Sequence, residues 1–374
     1  MAKKENKPKA EGSDRLVSLD ALRGFDMFWI IGGERLVHYT AGLTDNRWVQ
    51  KAAAQLEHSQ WNGFTLYDLI FPLFLFIAGV AMPLSMASRR SRGFEDKDLA
   101  IGVIRRGALL VLLGMVYNGL LNFDFDNLRC ASVLGRIGLA YMLAGLIVLK
   151  TQARGQMIWT AGLLLFYWVA LTAVPVPDIG AGVLEPGKTL TDFIDRALTP
   201  GVLYHGDRDP EGLFGTIPAI ATALLGAMAG RLLLTAEWNG WQKFFSLTAM
   251  GGACLGLGYA WDFAFPINKN LWSSSFVMWC AGYSALLLAA FYLVIDVLRF
   301  RIWAALFVII GVNSITIYLG QKLIDFEHTA SFLFAGVVDL APVARQPLIL
   351  ASFVLILKLA FLTFLHRKKV YLRI

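Results

Sequence analysis

An all-α, polytopic membrane bundle is the fold class this sequence predicts, and three observations carry the prediction. Of its 374 residues, 57% are apolar and only 16% are charged, against roughly 25% charged in an average soluble domain. Mean hydropathy is +0.57. The apolar residues also gather into long runs, and about 20 consecutive ones are needed for a helix to cross the hydrocarbon core.

Ten such runs are read along the chain, at about 20–37, 65–86, 101–122, 131–149, 157–176, 212–234, 244–264, 272–297, 302–323 and 345–366. The first is interrupted by Asp20, Arg23, Asp26 and Glu34. The apolar stretch 331–338 is too short to span and is expected in a loop. Residues 1–15 carry Lys3, Lys4, Lys7 and Lys9 with no apolar core behind them, so they read as a disordered basic cytoplasmic tail rather than a secretory signal. Residues 16–374 then form a single transmembrane domain.

An even number of spans places both ends on one side. On that side fall 21 of the Lys and Arg residues, against 8 on the other. Cytoplasmic loops hold the excess of positive charge, so both termini are expected in the cytoplasm. The formal charge of +7 and the pI near 9.3 follow from this orientation and call for no nucleic acid. Cys130, Cys254 and Cys280 have no metal-binding spacing and read as small hydrophobes; no metal is expected.

Chemistry concentrates at one mouth of the bundle. His58 precedes the second span, in Glu57-His58-Ser59-Gln60-Trp61-Asn62-Gly63, and Asp68 follows ten residues later. An imidazole titrates nearest neutral pH of all side chains, and a carboxylate can orient it for proton transfer. Asp68 otherwise reads as an acid at a helix start, and Pro72 is expected to bend the helix there. The same outer side carries His205, Asp209 and Glu211 before the sixth span, and Asn268, Lys269 and Asn270 before the eighth. With Trp61 and Asn62 these form a polar patch suited to a hydroxyl-rich, cationic ligand. At the opposite end, Asp20, Arg23 and Asp26 recur every three residues and share a helical face. Arg23, Arg105 and Arg106 are candidates for phosphate contacts. Arg136, inside the fourth span, demands a carboxylate, a phosphate or carbonyl oxygens. Asn313 and Ser314 are polar groups within the ninth span.

These motifs resemble the heparan-alpha-glucosaminide N-acetyltransferase family. The matching stretches are HSQWNGFTLYDLIFPLFLF at 58–76, SVLGRIGLAY at 132–141, VLYH at 202–205, DPEGLFGTI at 209–217, INKNLWS at 267–273, NSI at 313–315 and RKKVY at 367–371, preceded by Ser18-Leu19-Asp20 and Arg23-Gly24. The resemblance implies a bacterial relative in the inner membrane without the animal members' large N-terminal lumenal domain. It implies transfer of acetyl from cytoplasmic acetyl-CoA to the amine of a glucosamine-type sugar on the other side. His58 and Asp68 are then catalytic. Trp61, Asn62, His205, Asp209, Glu211, Asn268, Lys269 and Asn270 are expected to face the sugar. Asp20, Arg23, Arg105, Arg106, Arg136, Asn313 and Ser314 are expected to face acetyl-CoA. A homodimer is possible by analogy with animal relatives. The sequence departs from the family where an Asn is usual near the end of the first core helix, since Gly33-Glu34 stand there. The rival readings are an O-acyltransferase of envelope glycans and an amino-sugar carrier.

Overall fold

The computed structural model describes residues 16–372, and within them the chain is helical with no strands. The expected tail at 1–15 lies outside the described residues. The helices are α1 (Val17–Phe28), α2 (Glu34–Ala41), α3 (Arg47–Gln55), α4 (Ile70–Arg90), α5 (Asp96–Tyr117), α6 (Val133–Lys150), α7 (Ala153–Ala173), α8 (Leu190–Leu198) and α9 (Thr216–Leu234), followed by α10 (Gly240–Asp262), α11 (Ser274–Tyr292), α12 (Ala305–Val312), α13 (Ser314–Leu323), α14 (Phe326–Asp339) and α15 (Gln346–Arg367).

Seven of these elements are long and apolar enough to cross a membrane, and an eighth is the pair α12–α13, bent by 60°. All ten expected runs are helical. Two fall outside the strictly apolar set: α1–α2, which carries the charges noted above, and α10, which five glycines dilute. The expected loop at 331–338 is instead part of α14. Its Asp325 side chain caps the helix by accepting from the His328 N–H at 2.8 Å, and a 14-residue helix is still too short to span. Pro72 does not bend α4. It lies in the first turn, where its missing N–H breaks no helical bond, and the irregularity is a 3₁₀ turn at Leu66–Leu69.

Spanning segments of α4 and α9 are 72% buried inside the protein, whereas that of α15 is 17% buried. The pair α4–α9 is therefore the core, and α15 faces outward. The two core helices approach so closely that a Cβ on Gly79 would come within 2.2 Å of the Ala223 carbonyl oxygen, and one on Gly226 within 2.1 Å of the Phe76 carbonyl oxygen. Small residues at such a seam let backbones touch, which is how membrane helices gain packing energy without a hydrophobic drive. Against this core pack α1, α6 and α11.

The first helix is broken. Trp29–Gly33 forms a π turn in which Gly32 adopts φ 133°, a conformation only glycine takes easily. The Lys358 Nζ of α15 reaches the break and donates to the Ile31 carbonyl at 2.8 Å and to Gln321 Oε1 at 3.2 Å.

Candidate active site

Two loops on one side of the bundle are joined before any catalytic group is placed. The Gly63 N–H donates to the Ile267 carbonyl at 2.8 Å, and Asn268 Nδ2 donates to Asn62 Oδ1 at 3.0 Å. Fully buried Asn268 also accepts from the Leu271 N–H at 2.9 Å. Trp61 Nε1 ties the first loop to a third by donating to the Leu184 carbonyl at 2.8 Å. Trp61, Asn62 and Asn268, expected to hold a sugar, thus hold loops together. Their effect is to bring residue 269 over residue 58.

His58 Nδ1 lies 2.9 Å from Asp68 Oδ1. The Asp68 side chain is fully buried, and its second oxygen accepts the Ser59 and Thr65 N–H groups, each at 3.2 Å. A carboxylate can only accept, so the network assigns the proton to Nδ1 and leaves the Nε2 lone pair for a substrate. Lys269 Nζ stands 2.9 Å from Nδ1, 3.1 Å from Nε2 and 3.4 Å from Asp68 Oδ1. With Nδ1 engaged by Asp68, Nε2 is the nitrogen that can accept from the lysine. Burial pulls the Lys269 ammonium below the ordinary lysine value, and the Asp68 and Glu211 carboxylates oppose that pull. Tyr67 packs on the imidazole, ring centroids 4.7 Å apart.

The His58 side chain remains 53% exposed, so its open edge can meet a solute. It lines a cavity of about 210 Å³ with Lys269, Glu211 and Tyr318, whose deeper wall is apolar: Ile70, Phe71 and Phe74 of α4, and Val133, Leu134 and Ile137 of α6. Glu211 and Asp209 are both bound by Arg129. Its guanidinium donates to Asp209 in a bidentate pair at 2.7 and 2.6 Å and also to Glu211. Burial alone would weaken the Arg129 charge and raise the Asp209 carboxyl. The pair outweighs it, holding Arg129 above and Asp209 below their ordinary values.

A second cavity, about 300 Å³, lies toward the other end of the same α4–α6 seam. It is lined by Arg89, Arg105, Arg106, Ser85 and Tyr141 among apolar side chains. No side chain lines both cavities. Arg106 lies over the Tyr141 ring at 4.6 Å, and its buried Nε has no hydrogen-bond partner. Sequence reasoning missed Arg89. Its guanidinium crosses Gly102, where a Cβ would come within 2.7 Å of it, a long-range approach with no local signal.

The remaining expected contacts lie elsewhere. Arg136 is buried and donates to the Gly212 carbonyl at 2.8 Å, 5.3 Å from the Trp272 ring; it satisfies the carbonyl option rather than lining either cavity. Arg23 pairs with Asp20 at 3.4 Å within α1. Asn313 and Ser314 are buried at the α12–α13 bend, where the following Ile315 reaches the His58 cavity. His205 is exposed and packs on Tyr204, ring centroids 4.7 Å apart. Asn270 does not line the cavity. Glu34, standing where the family resemblance expects Asn, has a buried carboxylate oxygen with no donor. Among the described residues no cluster suited to a metal occurs.

No family model matches the sequence. Two curated proteins do, over most of the chain. It is 30% identical over 376 residues to the heparan-alpha-glucosaminide N-acetyltransferase of Mus musculus, covering 85% of this chain and 55% of that protein. It is 29% identical over 370 residues to the Homo sapiens protein of the same name, covering 83% and 53% respectively. The chain spans about half the length of these curated relatives. At this identity over this share of its length, the chain belongs to the heparan-alpha-glucosaminide N-acetyltransferase family.

Proposed function

We propose that this multi-pass protein is a transmembrane N-acetyltransferase, taking acetyl from acetyl-CoA at one membrane face and delivering it to the amine of a glucosamine-type sugar at the other. One observation carries the reading. A His58–Asp68 pair stands at the mouth of an apolar cavity, and a three-arginine cavity lies further along the same α4–α6 seam. On α4 the two are separated by Phe74 to Met82, about 12 Å at 1.5 Å per residue, a gap that the thin pantetheine arm of CoA is suited to thread. The arginines would take CoA phosphates as charge-assisted partners.

In the proposed reaction the sugar amine displaces Lys269 from His58 Nε2. Nε2 removes the amine proton as nitrogen attacks the thioester carbonyl, and Asp68 holds the ring and the charge that forms on it. Lys269, left beside the carbonyl oxygen, stabilises the oxyanion. Collapse expels the CoA thiolate, which recovers the proton from His58. General-base catalysis of this kind is worth roughly 10²–10⁴-fold. Positive charge along the chain supports placing both termini and the arginine cavity in the cytoplasm and His58 on the periplasmic side of an inner membrane. Residues 16–374 act as one domain in this reading.

The test is product identification. Protein reconstituted in vesicles, with acetyl-CoA on the arginine side and glucosamine on the His58 side, is expected to yield N-acetylglucosamine by mass spectrometry. Acetylation of a hydroxyl, or glucosamine uptake without acetyl-CoA, would replace this reading with the O-acyltransferase or the carrier.

A further inference from the structure

The charged face of α1 contains a group that the proposed reaction does not use. Asp26 is 1% exposed, and neither carboxylate oxygen meets a hydrogen-bond donor. It lines a separate cavity of about 520 Å³ formed chiefly by Phe25, Trp29, Leu69, Leu73 and Leu287. That volume is within the roughly 300–1,000 Å³ of small-molecule sites. The cavity opens beside α3, which brings Trp48, Lys51 and Gln55 to its lining without a bond to Asp26. Lys51 lies over the Trp48 ring, 5.4 Å from its centroid, and Gln55 Oε1 accepts from the Leu66 N–H at 3.3 Å.

A carboxylate offers only acceptors, and one buried without a donor is strongly unfavourable. At membrane depth such a group ordinarily faces a cavity or a partner. No N–H of the lining bonds to Asp26, which leaves an occupant free to supply the missing partner. Its chemistry is constrained on both sides: an apolar body to cover the aromatic and leucine walls, and a cation to meet the acid. We propose that this cavity is a second ligand site, which takes a lipophilic amine with its nitrogen at Asp26. Ile70 lines this cavity and the His58 cavity from opposite sides, so an occupant touches the wall of the candidate active site. The site stands on Asp26 and its surroundings and does not depend on the acetyl-transfer reading.

The probe is N,N-dimethyldecylamine, a cation at neutral pH that cannot be acetylated, compared with decan-1-ol and decanoate. The readout is the unfolding temperature of the detergent-solubilised full chain. The amine is expected to raise it by several degrees and the other two to leave it unchanged. Asp26→Asn, which keeps the shape and removes the charge, is expected to abolish the shift. Ala52→Trp, placed at the cavity rim, is expected to abolish it as well and serves where Asp26→Asn fails to fold. His58→Ala should keep the full shift, separating this site from the catalytic one. An equal shift with decan-1-ol, or a shift that persists in the variants of Asp26 and Ala52, overturns the proposal.

Discussion

The two cavities on the α4–α6 seam are built on opposite principles. At the outer one, the ionisable groups next to His58 are fixed by one another. Each Asp68 oxygen has a partner, Lys269 spans the imidazole, and Arg129 binds both Asp209 and Glu211. At the inner one, Arg90 nearby is paired with Asp96 at 2.8 Å, yet among the described residues no carboxylate pairs with Arg89, Arg105 or Arg106. A preorganised network aims a ring, and it loses function if one member moves. Uncompensated arginines attract an anion, and each contributes a share of affinity. The outer region should therefore answer to mutation in rate, and the inner one in binding.

The sharpest way to break this comparison is at Asp68. Asp68→Asn keeps the shape but can present an amide N–H toward Nδ1, favouring the wrong tautomer, and is expected to lower kcat by about 10³-fold, since orienting carboxylates act on this scale. Combined with His58→Ala it should add almost nothing, because groups acting as a unit are not additive. Additive losses would show that Asp68 only supports the loop. Lys269→Met is expected to lower kcat by about 10²-fold, the cost of one oxyanion donor, with little change in the KM for acetyl-CoA. At the inner cavity, Arg105→Ala and Arg106→Ala should each raise the acetyl-CoA KM by about 10-fold with kcat nearly constant, the pattern of lost uniform binding, and the effect should shrink at high salt. A fall in kcat alone would reverse the contrast.

The smallest effect on rate should come from Arg129, which braces the outer mouth without touching His58. Breaking a buried ion pair costs about 3 kcal/mol, so Arg129→Met is expected to lower the unfolding temperature by several degrees and to change kcat little. Asp209 has its folded-state carboxyl held below the ordinary value. Its contribution to stability is thus fully present above the ordinary carboxylate range, about pH 4, and is lost as pH falls through the lower folded value. Unfolding scans should show the wild type losing stability below about pH 4 and Arg129→Met showing less of that loss.

Much of the helical frame was legible because a membrane imposes length and apolarity on each span. The His58–Asp68 pair was legible too: ten residues of loop and 3₁₀ turn leave few geometries in which an imidazole at a helix mouth avoids the acid at its start. Lys269 was named as a site residue, but its position over the ring depends on the clasp between Asn62 and Asn268, 206 residues apart. Those two asparagines were read as sugar contacts, and the structure adds a loop-clasping role that the sequence does not display, because a polar loop side chain looks the same whether it meets a ligand or another loop. Arg136 was ambiguous for a similar reason: a buried guanidinium accepts phosphate or carbonyl partners alike, and only the fold brought the Gly212 carbonyl to it. The stretch 331–338 was placed in a loop on length alone, while Asp325 supplied a cap that let it form a helix.

The most direct measurement is the single-turnover rate of labelled acetyl transfer to glucosamine by His58→Ala, with acetyl-CoA binding measured on the same sample. The account predicts a loss of at least about 10²-fold with acetyl-CoA affinity unchanged, and partial recovery on adding free imidazole. Transfer at the wild-type rate by that variant would contradict it.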